Sequence, residues 1–157
     1  MGPGGWDMPR GVEDSGRAFS LEFRVEGMDF AAAGDVASNI KRALQQIGLD
    51  PGVIRRASVA AYEAETNIVI HAYRGRITVK VDTEGVRITA EDEGPGIPDV
   101  ELAMQEGYST APQHIREMGF GAGMGLPNIK RSTDELEIRT RVGVGTTLRA
   151  FIRFDRS

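Results

Sequence analysis

The sequence predicts an α+β fold: a two-layer sandwich whose mostly antiparallel sheet carries its helices on one face. Three observations predict it. Residues 76–92 and 135–154 each read as two strands of alternating polarity joined by a short glycine-containing turn, the pattern of antiparallel hairpins. Two segments between residues 30 and 73 place apolar residues three and four apart, the period of amphipathic helices. The order β-α-α-β-β-α-lid-α-β-β shows no internal repeat and no boundary after residue 18, so one layer of strands must be covered by one layer of helices.

Taken in order, residues 1–18 are rich in glycine, proline and charge, without periodicity, and are expected to be a disordered tail. Residues 19–157 are then one domain. Phe19, Leu21, Phe23 and Val25 alternate on one face of a first strand. A helix is expected from about Phe30 to Ile47, with Asp29 able to cap it and Gly48 stopping it. Asp50 and Pro51 supply the N-cap and first-turn proline of a second helix, expected to reach about Tyr73 and to be ended by Gly75. Its stripe is Ile54, Ala57, Ala61, Ala64, Ile68 and Ala72. Strands follow over Arg76–Asp82 and Val86–Asp92, then a short helix from about Pro98 to Gln105. Residues 106–122 show no period and read as a lid-like connection. A helix over about Gly123–Thr133 precedes the strands Glu135–Arg141 and Thr146–Phe154.

Composition narrows the function. A net charge of −4 argues against a nucleic-acid binder, which would show a basic surface. The absence of cysteine removes disulfides, thiolate metal sites and cysteine catalysis. No apolar run approaches the roughly 20 residues that span a bilayer, and no charged-then-apolar leader opens the chain, so no membrane partner and a cytoplasmic location are expected.

Three stretches carry chemistry. Glu63 and Asn67 stand four apart, one above the other on a helix face, and His71 continues the line. The same spacing suits a solvated polar stripe. Read chemically, the asparagine carbonyl is a hard oxygen ligand for magnesium, and the carboxylate is placed to take a proton. Second, Asp92 ends a strand and is followed at once by Gly94, Pro95 and Gly96. This is a good turn sequence, and it is also a carboxylate able to accept a bond from an exocyclic amine beside a backbone that leaves room for a flat ring. Third, Gly119, Gly121, Gly123 and Gly125 alternate just before a helix, an arrangement that offers backbone amides to an anion. No lysine follows these glycines as the Walker loop requires. With three lysines in the chain, magnesium and backbone amides must carry most of a phosphate's charge.

Together the stretches resemble the ATP-binding superfamily of gyrase, heat-shock chaperone, histidine kinase and mismatch-repair proteins, over roughly residues 20–154. The pattern is E-x-x-x-N on a helix, D-x-G-x-G after a strand, a lid, G-x-G-x-G before a helix, and a late Gly-Thr. The small single-domain form is similar to bacterial anti-sigma factors and their serine/threonine-kinase relatives, the stressosome-switch kinase in particular. No histidine-bearing dimerisation helix or transducer domain is read in the chain, which sets it apart from histidine kinases and gyrases. The resemblance implies the Bergerat ATP-binding fold, with ATP and magnesium as cofactors. It implies Glu63 as the catalytic glutamate and Asn67 as the magnesium ligand. It also implies Asp92 as the adenine-binding aspartate, with Gly94, Gly96 and Ile97 beside the ring. Gly121, Gly123, Met124, Gly125 and Leu126 would form the phosphate lid, and Thr146 would support the adenine site. The segment Ala111–Met118 is longer than the compact glycine linker of the stressosome kinase. The implied activity is phosphorylation of a small antagonist protein in a partner-switching pathway. The alternative is a nucleotide-dependent module that sequesters a sigma factor with little or no transfer. The first strand and helix are able to support a homodimer.

Overall fold

The structure, a computed structural model, describes residues 18–109, 111–117 and 124–155. The expected tail, apart from Ala18, lies outside the described residues. Five strands form one sheet: β1 (Phe19–Glu26), β2 (Arg74–Val81), β3 (Gly85–Glu93), β4 (Glu135–Arg141) and β5 (Gly145–Arg153). Their order is β1-β2-β3-β5-β4 and every neighbouring pair is antiparallel. The two-layer α+β reading therefore holds. Leu21, Ile77, Val79, Ile88, Leu148 and Ile152 point from the sheet into the core, and each is at most 4% exposed. Full burial of such a side chain contributes roughly 1.5–3 kcal/mol. The alternate residues form a charged outer face, with Arg74–Glu93, Arg76–Glu91 and Arg149–Glu137 paired at 3.2, 3.5 and 3.9 Å. Being solvated, such pairs contribute about 0–1 kcal/mol each.

Helix α1 spans Asp35–Ile47 and α2 spans Pro51–His71. The start of α1 differs from the expected Phe30. Phe30–Ala32 make a single 3₁₀ turn, Asp29 makes no capping bond, and the N-cap is Gly34 with φ +100°. The donors that open α1 are satisfied from outside its own sequence. Glu65 of α2 accepts the backbone N–H groups of Gly34, Val36 and Ala37 at 2.9, 3.2 and 3.0 Å. The start of α2 follows expectation, with the Asp50 carboxylate accepting the Gly52 N–H at 2.9 Å. Ala57, Ala60, Ala61 and Ala64 are all at most 2% exposed, and these small side chains let α2 lie close to its neighbours. It packs against α1, the C-terminal helix and strands β1, β2, β3 and β5, which makes it the central helix of the layer.

Gly75 does not end α2. The chain turns extended at Ala72, and Tyr73 then donates to the Glu93 carbonyl at 2.8 Å while accepting from Gly27 at 2.9 Å. Sheet bonds capture the segment before Gly75, which sits inside β2 opposite Asp92. A Cβ there would fall 2.9 Å from Ile68 Cδ1 and 2.8 Å from the Glu91 carbonyl oxygen. The glycine is needed for close approach of helix to sheet.

The remaining helices are short. Helix α3 covers Val100–Ala103, narrower than the expected 98–105, and Asp99 caps it through the Leu102 N–H at 3.0 Å. The lid-like connection contains a short helix that its lack of period did not predict, α4 (Gln113–Glu117), anchored by Ala111 and Ile115, each 2% exposed. Helix α5 spans Gly125–Ser132 and buries Leu126, Pro127 and Ile129. No helix among the described residues is long and apolar enough to cross a membrane.

Candidate active site

One side of α2 faces a cleft of about 600 Å³ between that helix, the end of β3, α3 and the start of α5. Residues at one-turn intervals on α2 line it: Glu63, Asn67 and His71, with Tyr62, Thr66 and Ile70 beside them. The 3.6-residue period alone puts the first three on one line, and the Ala57–Ala64 stripe turned toward the core points that line into the cleft. From the sheet come Asp92 and Thr146, from the following loop Gly96 and Ile97, and from the start of α5 Met124, Gly125 and Leu126. Gly94 is buried beside the cleft rather than lining it, and its N–H donates to the Val144 carbonyl at 3.0 Å. Gly121 and Gly123 lie outside the described residues.

Asp92 continues the inward-facing series Val86, Ile88, Ala90 of β3. It is the point where that series becomes polar. Its Oδ1 accepts the backbone N–H of Thr146 at 3.2 Å, and no other described group bonds its second oxygen. Burial pushes the Asp92 carboxyl up from the usual aspartate range, with the Thr146 N–H opposing that shift. The loop after it is tied to the β4–β5 turn. Gly143 donates to the Pro95 carbonyl at 2.8 Å, and Ile97 donates to Thr140 Oγ1 at 2.8 Å. Gly96 holds φ +76°, and a Cβ on it would sit 2.6 Å from the Arg141 carbonyl oxygen. Only glycine permits both the left-handed backbone and that approach.

Glu63 is half-buried, and its Oε2 accepts Asn128 Nδ2 at 2.7 Å. Its other oxygen, Oε1, stands 3.8 Å from where a Gly125 Cβ would be, at the head of α5. Asn67 has no side-chain hydrogen bond among the described residues, so its carbonyl oxygen is free to take a ligand. Among those residues no cluster of three or more His, Asp or Glu is able to hold a metal. A cation here would rest on few protein ligands and on phosphate oxygens, which is how magnesium is commonly held. At the end of α2, burial pushes the His71 imidazole below its usual range.

Sequence reasoning missed two participants. Thr140 accepts from Ile97 and shares a 3.0 Å hydroxyl contact with Thr146. Its signal was available: it is the polar residue in the inward series Leu136, Ile138, Thr140 of β4. Asn128 carried a weaker signal, a poor helix former in the first turn of α5.

The description "Histidine kinase-like ATPase domain" matches residues 29–152 of the chain. The serine/threonine-protein kinase RsbT of Bacillus subtilis (strain 168) is 33% identical over 126 residues, which covers 78% of this chain and 86% of that one. An anti-sigma F factor of Thermoanaerobacter sp. (strain X514) is 41% identical over 108 residues, 64% of this chain and 72% of its own. Among solved structures, a chain of the SiaB–SiaC complex from Pseudomonas aeruginosa superposes with a TM-score of 0.58 at 15% identity. That match covers 84% of this chain and 88% of the other, and it shows a shared fold. The carboxylate on β3, the polar line on α2 and the helix start facing them thus occur in a chain that belongs to the histidine kinase-like ATPase family, on its branch of ATP-using serine/threonine-protein kinases and anti-sigma factors.

Proposed function

We propose that the cleft holds ATP and that the chain transfers its γ-phosphoryl group to a serine or threonine of a small antagonist protein. The observation that carries this reading is that Glu63 and Asn67 of α2, Asp92 of β3 and the start of α5 all line one cleft. The free oxygen of Asp92 accepts from the adenine amine, and Thr146 holds the other oxygen so that the carboxylate keeps its direction. Ile97, Met124 and Leu126 enclose the base with Gly96, and Gly94 lets the loop close against the sheet. The backbone N–H groups of Gly125 and Leu126, at the start of α5, are turned to the phosphates, and Gly121 and Gly123, outside the described residues, are proposed to add theirs. Asn67 is the magnesium ligand, and the metal when bound supplies charge neutralisation across the phosphates. Glu63 takes the proton of the attacking hydroxyl as the oxygen–phosphorus bond forms and ADP leaves.

The relatives support a reading of the partner. Similarity to anti-sigma F factors supports an antagonist protein as acceptor and a sigma factor as a second partner. It also supports a second reading, in which the domain sequesters a regulator with little transfer. A homodimer formed through β1 and α1 fits the same proposal, as does action in the cytoplasm. The deciding experiment incubates the protein with γ-labelled ATP, magnesium and a purified antagonist from the same cells. Label on the antagonist supports the kinase reading. A stable partner complex under ATP with no phosphoprotein favours sequestration.

A further inference from the structure

A chain of hydrogen bonds runs from Glu63 along α5. Asn128 Nδ2 donates to Glu63 Oε2 at 2.7 Å, and Arg131 Nη2 donates to Asn128 Oδ1 at 2.7 Å. Arg131 also pairs through Nη1 with Glu106, just past the end of α3. Asn128 and Arg131 are three apart on α5, so the helix itself brings them together.

The chemistry of the four groups fixes the direction of the chain. A guanidinium only donates, and an ionised carboxylate only accepts. An amide has one end of each kind. With Arg131 on one side and Glu63 on the other, the Asn128 amide has one satisfactory orientation, oxygen toward Arg131 and NH₂ toward Glu63. A flipped amide would set donor against donor and acceptor against acceptor. One oxygen of Glu63 is thereby anchored, and Oε1 is the one left for a reacting hydroxyl. A charge-assisted bond of this kind is short and roughly twice as strong as a neutral one.

We propose that Asn128 is a positioning residue for Glu63 in phosphoryl transfer, and that Arg131 acts through Asn128 by fixing which end of its amide faces the carboxylate. This rests on the assignment of Glu63 as the base. Asn128 touches no reacting atom. It narrows the directions of a flexible side chain to the one in which proton transfer is aligned, and misplacement of about 1 Å is enough to cost about a hundredfold.

The test measures transfer of label from γ-labelled ATP to the purified antagonist, with kcat and KM for ATP determined separately. Asn128→Ala is expected to lower kcat about tenfold to a hundredfold and leave KM for ATP within about twofold. Asn128→Asp, nearly the same shape but without a donor, is expected to lose at least as much. In a Glu63→Ala background, Asn128→Ala is expected to add nothing. Arg131→Ala is expected to cost about threefold to tenfold alone and nothing further beside Asn128→Ala. Wild-type transfer by Asn128→Asp, with Glu63→Ala inactive, would overturn the positioning role and leave the kinase reading standing. A full additional loss from Asn128→Ala in the Glu63→Ala background would overturn it too. Wild-type transfer by Glu63→Ala would remove the base assignment and this inference with it.

Discussion

Glu63 and Glu65 are two residues apart on α2, and they have opposite surroundings. Glu63 is half-buried, meets one side-chain amide and keeps an oxygen toward the cleft. Glu65 is 2% exposed and holds three backbone N–H groups at the start of α1. Two residues turn a helix by about 200°, so identical carboxylates look in opposite directions. The difference teaches that chemistry and architecture on this helix are separated by angle rather than by residue type. For Glu65 the energetics are finely set. Burial raises its pKa, and the three N–H bonds lower it without cancelling the rise. Desolvation wins over hydrogen bonding, so the charge itself costs stability even though the contacts are needed.

The largest expected effect separates the two. Glu63→Ala should cut phosphoryl transfer by about 10²–10⁴-fold, the range for loss of a general base, and leave nucleotide affinity and unfolding free energy nearly unchanged. Kinetics, calorimetric titration with ATP and urea unfolding check the three parts. Glu65→Ala should do the reverse. It strands three donors, two of them buried, and should lower the unfolding free energy by about 3 kcal/mol or more, read by urea unfolding, while folded molecules still bind ATP.

A smaller effect is expected on the sheet side of the cleft. Asp92→Asn should keep the bond to the Thr146 N–H but turn an NH₂ toward the adenine amine, donor against donor. Adenine-nucleotide affinity should fall about tenfold to a hundredfold, the worth of a charge-assisted hydrogen bond. Unchanged affinity in titration calorimetry would reduce the Asp92–Gly96 stretch to a turn. Smallest is a pH effect. The folded pKa of Glu65 lies above its unfolded value of 4.5, so its contribution is fully present below 4.5 and is lost as pH rises through the folded pKa. Glu65→Gln should flatten that part of the stability–pH curve, measured by urea unfolding between about pH 4 and pH 7. Asp92, raised in the same direction, keeps its own share of the slope.

What was legible in the sequence follows the same division. Period and parity carried far: the apolar stripe of α2 is buried where expected, and Glu63, Asn67, Asp92 and Thr146 meet in one cleft. Those residues declare themselves because each interrupts or accompanies a regular pattern. Glu65 sat in the same motif unnoticed, since its partners lie 28 to 31 residues earlier and no local spacing shows them. Gly75 was misread because a glycine after a helix has two meanings, a stop or a close approach, and only the position of Ile68 decides between them. Asn128 was missed for the same reason as Glu65, its partner being 65 residues away.

The bond from Thr146 to Asp92 spans 54 residues, and β5, which supplies it, is inserted between β3 and β4. Synthesis must therefore pass β5 before Asp92 gains its Thr146 partner. Until β5 docks, Asp92 faces an open sheet edge with neither carboxylate oxygen held by a described group. Long-range strand insertion of this kind is slow and comes late in folding. If Asp92 recognises the base as proposed, the nucleotide is a ligand for the finished sheet alone. Half-made chains would already carry Glu63 and Asn67 but lack the strand that holds Asp92 in place.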